Sequence, residues 1–300
     1  MAAYVIVTAA HNEEDNLERL FGCVLAQTVK PLAWIIVSDG STDRTDETAR
    51  RLAEEVPWIR FMRREKPEQD FRRIEKVAPG KVAAVEMALA SLGGAEYEYL
   101  AILDADVAIG PAYYEQVLQR FESDRSLGIA GGMIRHILPD GTPARGGFKN
   151  PEAVGGPVQM FRRKCYEDIG GYKPYGHEDG QACANARRRG WAVRSFPDIW
   201  ADHHVPYKGY ASTIASMVPT CFYLGQMHYG LRMPLWFDSL MALRECCHRP
   251  FVLAGASMLA GHLWATLLLK RRVPKEVSFW RNHGEHIGLL LSKARRTLGR

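Results

Sequence analysis

Five short apolar runs divide the first half of the chain: YVIVTAA from Tyr4, AWIIVS from Ala33, WIRFM from Trp58, YLAIL from Tyr99 and LGIAGGMI from Leu127. Between them lie segments whose apolar residues recur at helical spacing, such as Leu17, Leu20, Phe21, Val24 and Leu25. Runs apolar on both faces suit strands buried on both sides, and strand–helix alternation is the mark of a mostly parallel sheet with helices on both faces. Helices are expected from about Glu13 to Gln27 with Asn12 as N-cap, from about Thr45, from Lys81 to about Leu92, from about Ala112, and from Asp179 to about Arg189. In such an α/β fold, ligands gather at the carboxyl ends of the strands, which is where the polar motifs of this chain lie.

The most telling of these ends reads YLAILDAD. Asp104 and Asp106 follow an apolar strand with only Ala105 between them. Two acids beside buried chain are expensive unless a cation neutralises them, and carboxylate oxygens prefer hard ions such as Mg²⁺ or Mn²⁺, which in turn clamp diphosphates. Alone, the pattern fits a strand-end turn with two solvated acids better than a site. Asp39 ends the second run in SDGSTD, where a carboxylate suits the imide N–H of a pyrimidine base and where Ser41 or Thr42 suits a helix cap. Lys81 opens a helix, a place where a cation opposes the macrodipole unless an anion docks there. Glu178 and Asp179 stand at the mouth of a further helix, fitting either a general base or an N-cap. The pair His203–His204 follows, with imidazoles suited to complete the coordination of a carboxylate-held metal. No GxxxxGK[ST] loop and no GxGxxG element occurs, which removes the main support for P-loop and dinucleotide-fold readings.

With 47% hydrophobic and 24% charged residues in 300, the composition argues against disorder. The N-terminus lacks the charged, apolar and small-residue regions of a secretory signal, so a cytoplasmic chain is expected. The six cysteines show no CxxC pairing, which fits reduced thiols. Charge is uneven. From Lys270 to Arg300, nine Lys or Arg face two Glu, a net +7, against −2 over the rest of the chain. Ahead of this basic end, residues 251–269 form a 19-residue stretch without a formal charge. An in-plane membrane anchor is the preferred reading, with a buried core helix and a true span as alternatives. The expected division is therefore 1–209, the alternating α/β part, followed by a helical, membrane-associated region over 210–300. Nucleic acid is not an expected partner.

In order, VTAAHNEE, SDGSTD, GKVAAVEMAL, LDAD, the Gly155–Gly156 loop with FRRKCYEDIGGY, then HED and RRRGW resemble the inverting glycosyltransferases of family 2, which have the GT-A fold. The resemblance covers roughly residues 3 to 205 and implies that 1–209 is a catalytic domain with a nucleotide-sugar half to about 108 and an acceptor half from about 109. It implies a donor pocket made by Ala9, His11, Glu13, Asp39, Lys81, Asp104, Ala105 and Asp106, with Asp39 on the nucleotide base. It further implies a Mn²⁺ or Mg²⁺ cofactor on Asp106 and Asp104, completed by His203 or His204, with the spacing favouring His203. Asp179 would be the catalytic base, and Gly156, Glu178 and Trp191 would face the acceptor. The implied substrates are a nucleotide-diphosphate sugar, with a UDP-sugar favoured, and a hydroxyl of a glycan or lipid-linked acceptor in surface-polysaccharide assembly at the inner face of a membrane.

The departures are specific. Ala9 and His11 replace the usual Pro and Tyr, Gln181 and Asn185 replace a frequent acid and arginine, and the QxxRW element of processive synthases is missing. A sugar nucleotidylyltransferase would need a Gly-rich, Arg-containing loop after the first strand, and AAHNEED has neither. A nucleotide-sugar-binding relative without turnover is the other alternative, and retention of both acidic pairs argues against it.

Overall fold

The computed structural model describes residues 3–65, 80–138, 140–143, 148–174, 177–204, 214–245, 252–268 and 272. Cys246, Cys247, parts of the loop between Pro139 and Gly147, and the basic end of the chain other than Arg272 lie outside them. The chain divides into two compact units, the first made by residues 1–70 and 76–206 and the second by the remainder.

The first unit holds β1 (Tyr4–Ala10), α1 (Glu14–Leu25), β2 (Ala33–Asp39), α2 (Thr45–Glu55), β3 (Ile59–Arg64), α3 (Gly80–Ser91), β4 (Tyr99–Leu103), β5 (Val107–Ile109), α4 (Tyr113–Ser123), β6 (Leu127–Ile137), β7 (Val158–Arg162), α5 (Arg163–Asp168), α6 (Glu178–Arg188) and β8 (Ala192–His204). One eight-stranded sheet runs in the order β3-β2-β1-β4-β7-β6-β8-β5 and spans both expected halves. β3, β2, β1 and β4 are parallel, as the alternation predicts. Beyond β4 the sheet is mixed: β7 is antiparallel to both β4 and β6, and β5 is antiparallel to β8. Only β6 and β8 pair in parallel there, so "mostly parallel" describes one half of the sheet.

Alternate residues of the central strands enter opposite cores. Tyr4, Ile6, Trp34 and Ile36 pack with Leu17, Leu20, Leu52 and Phe121 of α1, α2 and α4. Val5, Val7, Ile35 and Val37 pack with Val82, Val85, Ala88, Cys183 and Ala186 of α3 and α6. Helices therefore cover both faces, and every carboxyl end of the parallel strands opens on the same edge. The four described cysteines are free thiols.

Asn12 does not cap α1. It adopts a left-handed backbone (φ 57°), and its Oδ1 accepts the Thr42 N–H at 2.8 Å. The N–H groups at the start of α1 are satisfied instead by the loop after β2 and the first residue of α2: Glu13 N–H donates to Thr45 Oγ1 (2.7 Å) and Glu14 N–H to Asp43 Oδ2 (3.3 Å). Neither Ser41 nor Thr42 caps α2; Asp43 Oδ1 takes the Thr45 N–H at 2.9 Å. The loops after β1 and β2 thus lace each other into one rigid rim.

The second unit contains α7 (Ile214–Gly230), α8 (Leu235–Glu245) and α9 (Val252–Leu267). No described helix is long and apolar enough to cross a membrane. α9 buries Ala254, Gly255, Met258, Gly261, His262 and Ala265 on one side and leaves the other exposed. The uncharged stretch is accordingly half core helix and half surface.

Inside the first core, the Trp34 indole N–H donates to Thr8 Oγ1 at 2.9 Å, with both residues fully buried. Thr8→Val would strand that donor. A destabilisation of about 1–3 kcal/mol is expected, read as a lower urea midpoint at unchanged m-value.

Candidate active site

At the carboxyl edge of β1, β2 and β4, a cleft of about 310 Å³ is lined by Ala9, Ala10, His11, Glu13, Asp39, Gly80, Lys81, Asp104, Ala105 and Asp106. All eight residues assigned to a donor pocket from the sequence line it. Three strands and the start of α3 deliver them, because each polar motif begins where its strand ends.

Asp39 is nearly buried, and its Oδ1 meets Arg64 Nη1 at 2.5 Å. Arg64 is a residue the sequence reading missed. It ends β3 as Asp39 ends β2, and the two stand in register, so the strand-end rule would have found it. Gly80 is required on the other side, where a Cβ would overlap Asp39 Oδ2. His11 Nδ1–H donates to the Asp39 carbonyl at 2.9 Å, so this imidazole braces the rim.

The two acids of the DAD element part company. Asp104 Oδ1 pairs with Lys81 Nζ at 2.5 Å, so the anion that the Lys81 ammonium meets is a carboxylate of its own chain. The same ammonium donates to the Gly156 carbonyl at 3.1 Å. Burial opposes charge on Lys81, but Asp104 in contact and Glu178 and Asp179 nearby overcome it and hold its pKa above the ordinary lysine range. Asp106 faces away from this pair: its Oδ2 lies 2.9 Å from His203 Nε2. The antiparallel β5–β8 ladder sets this up by placing Val107 opposite His203. Burial lowers the His203 pKa, and the hydrogen bond to Asp106 and the charges of Asp106 and Asp104 raise it further, for a net upward shift.

Adjacent strand residues point to opposite faces, so His204 presents its ring away from the Asp106 carboxylate and offers only its backbone N–H to the Asp106 carbonyl (2.8 Å). His204 is thereby a weaker ligand candidate than His203. Asp104, spent on Lys81, is a weaker one than the sequence suggested. His136, unremarked in the sequence, sits on β6 opposite His203 with ring centroids 5.2 Å apart.

Among the described residues, no cluster of three or more His, Cys, Asp or Glu is built to hold a metal ion. What converges is one carboxylate and one imidazole, both about one-fifth exposed, and a buried His203 Nδ1 without a hydrogen-bond partner. That donor set fits a divalent ion whose remaining positions are filled by substrate and water.

Asp179 lies in the first turn of α6. The helix opens on His177 in a left-handed conformation (φ 49°) without a side-chain cap, so the cap reading of the acidic pair does not hold. Asp179 Oδ2 accepts the Gly156 N–H at 3.1 Å and Oδ1 accepts the Gly180 N–H at 2.7 Å. A Cβ on Gly156 would come within 2.9 Å of Oδ2, so glycine is needed for the approach. Below, Gln159 donates to the Asp179 carbonyl (3.2 Å) and accepts from Tyr172 OH (2.5 Å), a buried support that no sequence signal marks. Glu178 is half-buried beside Asp179. Trp191 is not brought to these acids: it follows the far end of α6, about 16 Å along the helix axis, packs on Gly128 and donates to Asp168 Oδ2 at 3.1 Å.

The family model described as "Glycosyl transferase family 2" matches residues 5–189. Over 147 residues the chain is 31% identical to the chondroitin synthase of Pasteurella multocida (strain Pm70), covering 49% of this chain and 14% of that one. Over 127 residues it is 28% identical to the poly-beta-1,6-N-acetyl-D-glucosamine synthase of Staphylococcus aureus (strain MSSA476), covering 42% and 27% respectively. The chain thus spans less than a third of the length of these two relatives. Among solved structures, a mannosyltransferase from Pyrobaculum calidifontis in complex with GDP-Man and Mn²⁺ aligns with TM-score 0.55 at 19% identity, covering 89% of this chain and 73% of that one. GalNAc-T7 with UDP, GalNAc and Mn²⁺ aligns with TM-score 0.57 at 14% identity, covering 92% and 56%. These likenesses show the GT-A fold.

Glu13, at the cleft wall, has its pKa raised from the ordinary 4.5 to about 7, chiefly by burial, with Asp106, Asp104 and Asp43 adding to it against a hydrogen bond from Asn16. The folded state therefore holds this proton more tightly than the unfolded one, and the stability it lends is lost as pH rises through the folded value. In chelator, Glu13→Gln is expected to raise the melting temperature by on the order of 5 °C at about pH 8.5 and to change it little at about pH 4.

Proposed function

The chain belongs to glycosyltransferase family 2, and we propose that it carries out a metal-dependent, inverting transfer of a sugar from a nucleotide diphosphate to an acceptor hydroxyl. One observation carries the reading. The Gly156 peptide joins the two halves of the chemistry: its carbonyl takes a hydrogen bond from Lys81, which pairs with Asp104 at the donor cleft, and its N–H orients Asp179.

Single-displacement transfer needs a base for the nucleophile and a separate charge acceptor for the leaving diphosphate. Asp179 fits the first need. Its two oxygens are each fixed by one backbone N–H, and each keeps a lone pair for the acceptor's proton. As the acceptor oxygen bonds to the anomeric carbon, the bond from that carbon to the diphosphate breaks on the opposite face, and configuration inverts. Asp106 and His203 are the residues that would hold a divalent ion, which supplies Lewis-acid stabilisation of charge on the leaving group. Lys81 adds a fixed positive charge at the cleft wall. Asp39, oriented by Arg64, is the acceptor for a base N–H, and uracil is the favoured base. The likeness to chondroitin and poly-beta-1,6-N-acetyl-D-glucosamine synthases supports a glycan acceptor, free or lipid-linked.

UDP with Mn²⁺ is expected to raise the melting temperature more than GDP or UDP with chelator. Asp179→Asn is expected to keep that shift and to lose about 10²–10⁴-fold in Mn²⁺-dependent UDP release from its sugar donor in the presence of acceptor. A folded Asp179→Asn protein that turns over at the native rate would remove Asp179 as the base. His203→Ala is expected to raise the Mn²⁺ concentration for half-maximal activity by at least about tenfold, and His204→Ala to leave it unchanged.

A further inference from the structure

The helical unit is built inside out. Its buried polar centre is Asp238 of α8, fully excluded from solvent, which accepts from His228 Nδ1 of α7 and from His262 Nδ1 of α9 at 2.8 Å. The crossing of α7 and α9 is made by small residues: a Cβ on Gly225 would overlap the Met258 carbonyl, and one on Gly261 the Phe222 carbonyl. The outside carries the large apolar side chains. On α9 these include Leu253, Leu263, Trp264 (50% exposed) and Leu267 (77%), and on α8 Leu235 and Leu240. Among the described residues of the first unit the corresponding exposed side chain is Leu32. Water-facing helices place their charges outward and their leucines inward. Polar groups at the centre, glycines at the crossing and apolar residues at the periphery are the arrangement used where the surroundings are hydrocarbon.

We propose that the exposed face of α8 and α9 docks into one leaflet of an anionic lipid bilayer. At 16 residues, α9 is about 24 Å long, short of the roughly 30 Å hydrocarbon core, so the unit enters the leaflet and does not span it. Charge complementarity names the lipid. No acid occurs in residues 251–269, and the nine Lys or Arg that follow meet only two Glu, which matches an anionic headgroup layer. A second copy of the chain would present the same basic stretch to itself and gains nothing from it. The proposal is independent of the reaction assigned to the first unit.

The test is co-sedimentation of the full chain with vesicles of phosphatidylcholine alone or mixed with phosphatidylglycerol. The full chain is expected to pellet with the mixed vesicles, and less so at high salt. Trp264→Glu with Leu267→Glu is expected to lower the partition coefficient at least about tenfold, whereas Leu32→Glu leaves it unchanged. Should the α9 pair unfold by circular dichroism, Leu235→Glu with Leu240→Glu on α8 tests the same face. Pelleting that is absent, or equal in the substituted and native chains, overturns the proposal. So does a native dimer in light scattering that the same substitutions make monomeric without any vesicle binding, because the face is then a self-association surface.

Discussion

Four carboxylates, Asp104, Asp106, Glu178 and Asp179, approach one edge of the sheet, and the Lys81 ammonium is what allows them to share it. Two unit charges about 4 Å apart interact by roughly 4 kcal/mol at the effective dielectric of a partly buried site, so uncompensated acids would drive the loop after β4 and the start of α6 apart. Lys81 answers this with one contact to Asp104 and one to the Gly156 carbonyl. The peptide thus polarised on one side presents its N–H to Asp179 on the other. The geometry of the candidate base depends on a lysine almost a hundred residues away through a single glycine, which a Cβ would push out of place.

The neighbouring acid is treated differently. Asp106 is left to His203, and the separation follows from strand alternation. In a chain running Asp104–Ala105–Asp106 out of a strand and into the short β5, the ladder with β8 brings His203 to Asp106 and turns His204 away. With an ammonium on one acid and an imidazole on the next, the cleft keeps the Lys81–Asp104 pair and the Asp106–His203 pair apart, which one shared cluster would not.

The helical unit follows other rules. Its inside is polar and tight, with Asp238 between two imidazoles, and its outside is leucine and tryptophan. The stretch 251–269 was ambiguous in sequence because a helix that is apolar all round looks alike whether it faces protein, lipid or both. The packed partners α7 and α8 resolve which side of α9 is which.

Much of the first unit was legible from the order of residues. The apolar runs located the central strands, the 3.6 period located the helices, and the habit of α/β sheets to place ligands at strand ends located Asp39, Lys81, Asp104 and Asp106, because those signals are local. The mixed half of the sheet was not legible, since β7 and β5 are reversed by pairings with strands that sequence spacing does not identify. For the same reason the caps of α1 come from the loop after β2 and the first residue of α2, Arg64 sits on Asp39, Gln159 supports Asp179, and Trp191 lies at the wrong end of α6 for the acids. The alternating α/β architecture and the chemical inventory of the cleft can be read along the chain, because periodicity and strand-end position are properties of contiguous residues. Which acid meets the lysine, which histidine meets the other acid and which face of α9 is bare emerge from the folded chain alone, because each is a contact between segments remote in sequence.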